Sequence, residues 1–262
     1  MKITQREKKK AKFRISFIVL FIIASFAVCF TMYMKEDFEI TEEMLDDHSK
    51  SVVYIDPVGR DNNFINPVPK SEKKDVDYYD DAVFIGSNAL AGLSDYGFAD
   101  PKNMLLSDSI RLNNFSTLIL SENDEQSSIA EAVQRKNARK IYIMVGLYDL
   151  ADIDNSDLFD SLEAFIDDIA KSSNEAKIYL ISLLPVPAET EGMIASNTDI
   201  DLYNSLLLKF ADKMRVCYLD VSTDFKGNDG KLPSSAAELN GIRLKEEYYE
   251  KFSDYILTHV SE

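Results

Sequence analysis

Read from its amino end, the chain opens with one long apolar block and then settles into short ones. Ile15 to Met34 is twenty residues without a charge, enough as a helix to span the hydrocarbon core of a bilayer. Residues 35–80 are polar and acidic. Pro57, Pro67 and Pro69 and the cluster Lys70 to Asp80 predict a stalk there, with one strand near Ser51 to Ile55. From Asp81 onward, short apolar runs alternate with helical periodicity. The predicted strands are Ala82–Gly86, Ser116–Leu120, Lys140–Val145, Lys177–Leu183 and Arg215–Asp220. The predicted helices are Asn88–Tyr96, Ser127–Lys136, Asp157–Ser172, Asp199–Lys213 and Lys245–Thr258. Strands that each lead into a helix predict a parallel sheet covered on both faces. Right-handed crossovers make it a three-layer α/β/α domain over residues 81–262.

Charge sharpens the reading of the first block. Residues 1–14 carry seven Lys or Arg and one Glu, and the whole chain stands at −16, which leaves −22 for residues 15–262. Lys8, Lys9, Lys10, Lys12 and Arg14 before Ile15 predict a cytoplasmic basic tail (1–14) and a single-pass anchor in the cell membrane (15–34). The body then lies outside the cell. A cleaved signal peptide with Ser25-Phe26-Ala27 as its small-x-small site is the alternative. The apolar run continues for seven residues past Ala27, which favours the uncleaved anchor.

An acidic body repels phosphate, so no nucleic-acid partner is expected. Of the two cysteines, Cys29 falls in the apolar block and Cys217 stands alone in the body. No disulfide within the body is therefore available, although an exported protein would be permitted one. A bacterial cell surface fits, and a thick-walled cell is expected.

In α/β folds of this kind the functional crevice lies beyond the carboxyl ends of the strands. Three segments fall there: Gly86-Ser87-Asn88, Gly146-Leu147-Tyr148-Asp149 and Leu239-Asn240-Gly241-Ile242-Arg243. In this order they resemble the SGNH (GDSL-type) hydrolases. Phe84-Ile85-Gly86 is similar to the family's first block, which continues Asp-Ser with the serine as nucleophile. Val145-Gly146-Leu147-Tyr148-Asp149-Leu150 resembles the third block, Gly-x-Asn-Asp, whose asparagine donates to the oxyanion. Leu184-Pro185-Val186 is similar to the family's proline-ended fourth strand. Tyr218-Leu219-Asp220-Val221, then Asn240-Gly241-Ile242-Arg243-Leu244, resembles the terminal block Asp-Gly-x-His-Leu. The resemblance covers residues 81–258 and implies a five-stranded parallel, flavodoxin-like (SGNH) sheet.

Nearly every chemical position departs from that pattern. The serine's place falls on Asn88, with Ser87 where the aspartate belongs. The oxyanion asparagine's place falls on Tyr148, the terminal aspartate's on Asn240 and the histidine's on Arg243. The second block supplies a glycine amide to the oxyanion hole, yet no glycine occurs between Gly97 and Gly146. An amide is no acyl nucleophile, a serine needs a neighbouring base, and arginine stays protonated. Loss of one triad member costs on the order of 10⁴- to 10⁶-fold. The scaffold reads as kept and the machinery as removed.

Several residues carry two readings. Ser87 is a nucleophile if the first block is one residue short, but the body's sole histidine is His259, sixteen positions past Arg243. Asn88 binds a ligand or caps the helix that begins there. Tyr148 stacks on a sugar ring or fills the space of a substrate. Arg243 grips a carboxylate or phosphate, or pairs with one of the many acids nearby, such as Glu246 or Glu247. Asp149, a ligand-binding candidate, and Asp220 cap helices or hold loops more readily than they hold a metal. No His or Cys cluster has ligand spacing, so no metal or cofactor is expected. Tyr248, Tyr249, Phe252 and Tyr255 read as core.

The expected protein is thus a degenerate SGNH-like pseudoenzyme on the cell envelope. The resemblance implies a cell-surface glycan or an envelope enzyme as its partner. The alternatives are an active esterase or acyltransferase on glycan O-acyl groups that uses Ser87, and a structural ectodomain without a ligand.

Overall fold

The computed structural model describes residues 64–122, 125–172, 175–193, 195–238 and 240–261. The basic tail, the predicted anchor, most of the stalk with its expected strand, and Leu239 lie outside these residues. Among the described residues no helix is long and apolar enough to cross a membrane.

Five parallel strands form the sheet. They are β1 (Ala82–Gly86), β2 (Met104–Leu106), β5 (Lys140–Met144), β6 (Lys177–Ile181) and β7 (Cys217–Leu219), in the order β2-β1-β5-β6-β7. The helices are α1 (Gly92–Asp95), α2 (Ile129–Arg135), α3 (Asp160–Ser172), α4 (Asn197–Met214), α5 (Val221–Phe225) and α6 (Glu246–Thr258). The order reverses between β1 and β5, the kind of switch point at which open α/β sheets carry their ligand crevices. Every residue of β1 is buried. That is why the strand reads as an unbroken apolar run and not as an alternation.

Register builds the core. Phe84, Tyr142, Tyr179 and Cys217 are partners across successive strands. The rings of Phe84 and Tyr142 stack at 4.9 Å, and those of Tyr142 and Tyr179 at 4.8 Å. Tyr79 closes the row edge-on to Phe84 at 5.2 Å, and its hydroxyl donates to the Ser253 carbonyl of α6 at 3.2 Å. Phe159 ties α3 to α4, stacking on Phe210 at 4.7 Å and leaning on Tyr203 at 6.0 Å. Tyr249, Phe252 and Tyr255 are buried on α6, as their spacing predicts.

The predicted helices are recovered with shifted ends. Ser128 and Ser196 cap α2 and α4 with their hydroxyls, Ser128 in a capping box with Glu131. The predicted helix Asn88–Tyr96 is a 3-10 turn, Asn88–Leu90, followed by α1.

One predicted strand is corrected. The stretch Ser116–Leu120 does not enter the sheet; the fifth parallel strand is β2, three residues long. Instead β3 (Ile119–Glu122) pairs with β4 (Glu125–Ser128) in a separate antiparallel hairpin.

Residues 64–80, assigned from sequence to the end of a stalk, lie on the body. Asn66 accepts from Tyr218 N at 2.7 Å and donates to Val216 O at 3.0 Å, and Val68 N donates to Tyr218 O at 2.9 Å. A side chain and one amide thus cover the outer edge of β7 where a further strand would pair. Ser71 N and Lys74 N then donate to the Thr258 and Leu257 carbonyls at the end of α6. Apart from the 3-10 turn Val76–Tyr79, proline and charge here mark the absence of regular structure, but not the absence of packing.

Candidate functional site

The switch between β1 and β5 brings two of the predicted segments side by side. β1 ends at Gly86, where an added Cβ would collide with the Met144 carbonyl of β5. Only glycine lets the strands close at this point. Ser87 follows in an extended conformation, and its Oγ accepts from Ala89 N at 3.3 Å, capping the short 3-10 turn. The cap is therefore Ser87, not Asn88. Asn88 turns to Asp108 instead: its backbone N–H donates to Oδ1 at 3.0 Å and its Nδ2 to Oδ2 at 2.7 Å.

Asp108 comes from the end of β2, where Ser107 N donates to Gly86 O at 2.9 Å. The sequence reading missed both Asp108 and its neighbour Arg111. Recognising β2 would have put them on this edge. Arg111 donates through Nη1 to the carbonyls of Asp108 at 2.5 Å and Ile110 at 2.9 Å. Its guanidinium lies 4.6 Å from the centre of the Tyr148 ring.

On the β5 side, Gly146 adopts φ +114°, a conformation rarely open to other residues, and sits against the Tyr203 ring. Tyr203 donates to Val145 O at 2.7 Å, so the turn is fastened from below by α4. Tyr148 emerges from this turn 37% exposed. Burial raises its phenol, and the Asp108 carboxylate adds to this while Arg111 opposes it.

Asp149 points inward. It is buried, its Oδ1 accepts from Leu112 N at 3.1 Å, and its Oδ2 has no partner. Burial pushes its carboxyl above the usual range, against the pull of the Leu112 amide and Arg111; Asp152 adds to the rise. The native state therefore holds this proton more tightly than the unfolded chain does, and ionisation near neutral pH costs stability. Asp149→Asn is expected to be more stable than the parent at neutral pH in urea unfolding. The gain should shrink as the pH falls below the usual carboxylate range, where the parent is protonated in both states. A variant less stable than the parent at neutral pH would contradict this.

The third segment lies in the turn before α6. Asn240 Oδ1 accepts from Ile242 N at 3.0 Å and from Arg243 N at 3.1 Å, so its amide serves the turn. Arg243 donates from Nη2 to Asp95 at 2.7 Å, and its Nε lies 3.7 Å from Glu238. The acids it pairs with are these two, where the sequence offers Glu246 and Glu247 as examples. Tyr249 of α6 donates to Ala89 O at 2.6 Å and clamps the turn after Ser87.

His259 is elsewhere. It ends α6, stacked on Tyr255 at 3.8 Å, with Nδ1 at 2.8 Å from the Tyr255 carbonyl, to which it can serve only as donor. Ser261, two residues on, accepts from Lys177 at the start of β6 at 2.7 Å. That is the amino edge of the parallel sheet, and Ser87 is at the carboxyl edge. A strand of this length is roughly 16 Å long. Asp220 caps α5 through Thr223, with the Thr223 hydroxyl on its Oδ2 at 2.7 Å. Among the described residues no three His, Cys, Asp or Glu side chains come together as a metal site.

No family model matches the chain, and no curated protein does. Solved structures do. A Streptococcus pneumoniae protein provisionally described as a platelet activating factor matches with a TM-score of 0.53 at 19% identity, over 69% of this chain and 87% of that one. A Desulfitobacterium hafniense protein, provisionally described as a lipolytic protein of the G-D-S-L family, matches with a TM-score of 0.50 at 14% identity, over 68% of this chain and 98% of that one. At such identities the likeness is one of fold. The body has the SGNH-hydrolase-like fold: a five-stranded parallel sheet with flanking helices.

Proposed function

We propose that this is a membrane-anchored surface protein whose hydrolase-like domain has lost ester hydrolysis and acts as a binding or scaffolding module, for a glycan or an envelope enzyme. The observation that carries the reading is the company Ser87 keeps. Its hydroxyl accepts from Ala89 N, and both oxygens of the nearby Asp108 carboxylate accept from Asn88 and not from Ser87. The arginine in the histidine's place holds Asp95, and the one body histidine is at the opposite edge of the sheet. A serine hydroxyl without a base is a poor nucleophile at neutral pH. The apolar block and the basic tail before it support the anchor, with the amino terminus inside.

The test uses the full chain. It is expected in the membrane fraction, released only by detergent. There it should hydrolyse p-nitrophenyl acetate no faster than buffer, as should Ser87→Ala. Hydrolysis that disappears in Ser87→Ala would replace this reading with that of an esterase or acyltransferase using Ser87. Recovery without detergent would remove the anchor.

A further inference from the structure

Lost catalysis explains what Ser87 lacks, but not what Tyr148 has gained. A residue that merely filled the oxyanion donor's place would be buried. Tyr148 is instead 37% exposed, in a set of large hydrophobic side chains that are mostly covered. Its ring is braced by Arg111 at 4.6 Å, and Arg111 is held in turn by two backbone carbonyls. Beside it the exposed carboxylate of Asp108 is fixed through both oxygens by Asn88. Fixing long side chains at a surface costs conformational entropy, and a pre-set aromatic face with polar groups beside it is the arrangement that small-ligand sites use.

The chemistry of this rim selects the class of ligand. An aromatic ring offers a face for C–H groups. The Asp108 carboxylate retains acceptor capacity, and the Arg111 guanidinium has N–H groups on Nε and Nη2 beyond the Nη1 that makes its two bonds. Charges of both signs stand within the same rim, since both Asp108 and Arg111 act on the Tyr148 phenol. An anion drawn to Arg111 meets Asp108, and a cation drawn to the ring meets Arg111. A neutral ring with an apolar face and a rim of hydroxyls meets neither obstacle.

We infer that this edge binds a neutral saccharide, with Tyr148 as the stacking platform and Asp108 and Arg111 as hydroxyl-binding residues. The inference rests on the reading of the domain as a binding module and narrows its ligand from a glycan or enzyme to an uncharged sugar.

Full-length protein, in a detergent without a sugar headgroup, is titrated by calorimetry with neutral oligomers of glucose, xylose and N-acetylglucosamine. Oligogalacturonate and oligoglucosamine serve as the anionic and cationic comparisons. At least one neutral oligomer is expected to bind, more tightly than either charged one. Affinity should fall about tenfold or more in Tyr148→Ala and stay within about threefold in Tyr148→Phe. Asp108→Asn should weaken binding, and thermal unfolding should stay unchanged in the Tyr148 variants. Binding by none of the neutral oligomers, preference for a charged one, or binding that survives Tyr148→Ala would overturn the inference. Ser87-dependent ester hydrolysis in the same preparations would end the reading of lost catalysis and leave the sugar site standing. No sugar binding and no hydrolysis would do the reverse.

Discussion

Gly146→Ala is expected to lower the stability of the protein by about 3 kcal/mol, from overpacking and backbone strain together. The position has φ +114°, and an added Cβ would run into the ring of Tyr203. That ring has no way out. Tyr203 is fully buried, packs against Phe159 at 6.0 Å, and donates its hydroxyl to Val145 O at 2.7 Å. Moving it would orphan a buried hydroxyl as well as open a gap. Against a total of roughly 5–15 kcal/mol for a typical domain, such a loss is a large fraction. Urea unfolding should show a lower midpoint at unchanged slope. A loss below about 1 kcal/mol would mean that the turn carrying Tyr148 yields without disturbing α4, and the coupling drawn here would be wrong.

The second large effect is expected on the next strand. After β6 the chain leaves the sheet through Leu183 to Val186, and its backbone there has no strand partner. Two buried asparagines of α4, seven residues and so two turns apart, take that place. Asn204 accepts from Leu183 N at 2.8 Å and donates to Leu183 O at 2.9 Å. Asn197 accepts from Val186 N at 2.9 Å and donates to Val186 O at 3.0 Å. Asn204→Leu keeps the branched shape of the side chain but strips Leu183 of both bonds inside the core. Two unmet backbone groups cost about 1–3 kcal/mol each, so a loss of about 3 kcal/mol is expected, with faster hydrogen exchange at the Leu183 amide. An unchanged exchange rate would show that the asparagine is not what holds this segment.

How much of this was legible in the sequence depends on how each element is stabilised. β1, β5 and β6 are buried on both faces, so their apolar runs were plain. β2 was not, because three residues, only the middle one buried, leave no period to read. Ser116–Leu120 misled because its apolar residues serve packing outside the sheet: Leu118 and Leu120 lie half-buried against the core, while Ile119 is exposed in the hairpin. Asn66 was hidden for a different reason. Its partners are more than a hundred positions away, and nothing local marks a side chain that will cover a sheet edge.

The site was legible as positions and not as pairings. The strand-end glycines and the spacing of Ser87, Tyr148 and Arg243 marked three segments. The first two lie side by side at the β1–β5 switch, while the third meets the helix after the first through Arg243 and Asp95. Their acids and bases lie on other elements: Asp95 after the first turn, Asp108 and Arg111 beyond the strand that was missed, and Glu238 across the last loop. Charge pairs formed across loops follow no sequence period. Arg243 was thus readable as an arginine in the last of the three segments, but its choice of Asp95 was not.

The account turns on whether Ser87 is an activated nucleophile. Fluorophosphonate probes form a covalent bond only with a serine whose proton a base removes, and mass spectrometry of the labelled full-length protein reports the site. The account predicts no adduct on Ser87 after prolonged exposure. A stoichiometric adduct there, absent from Ser87→Ala, would contradict it.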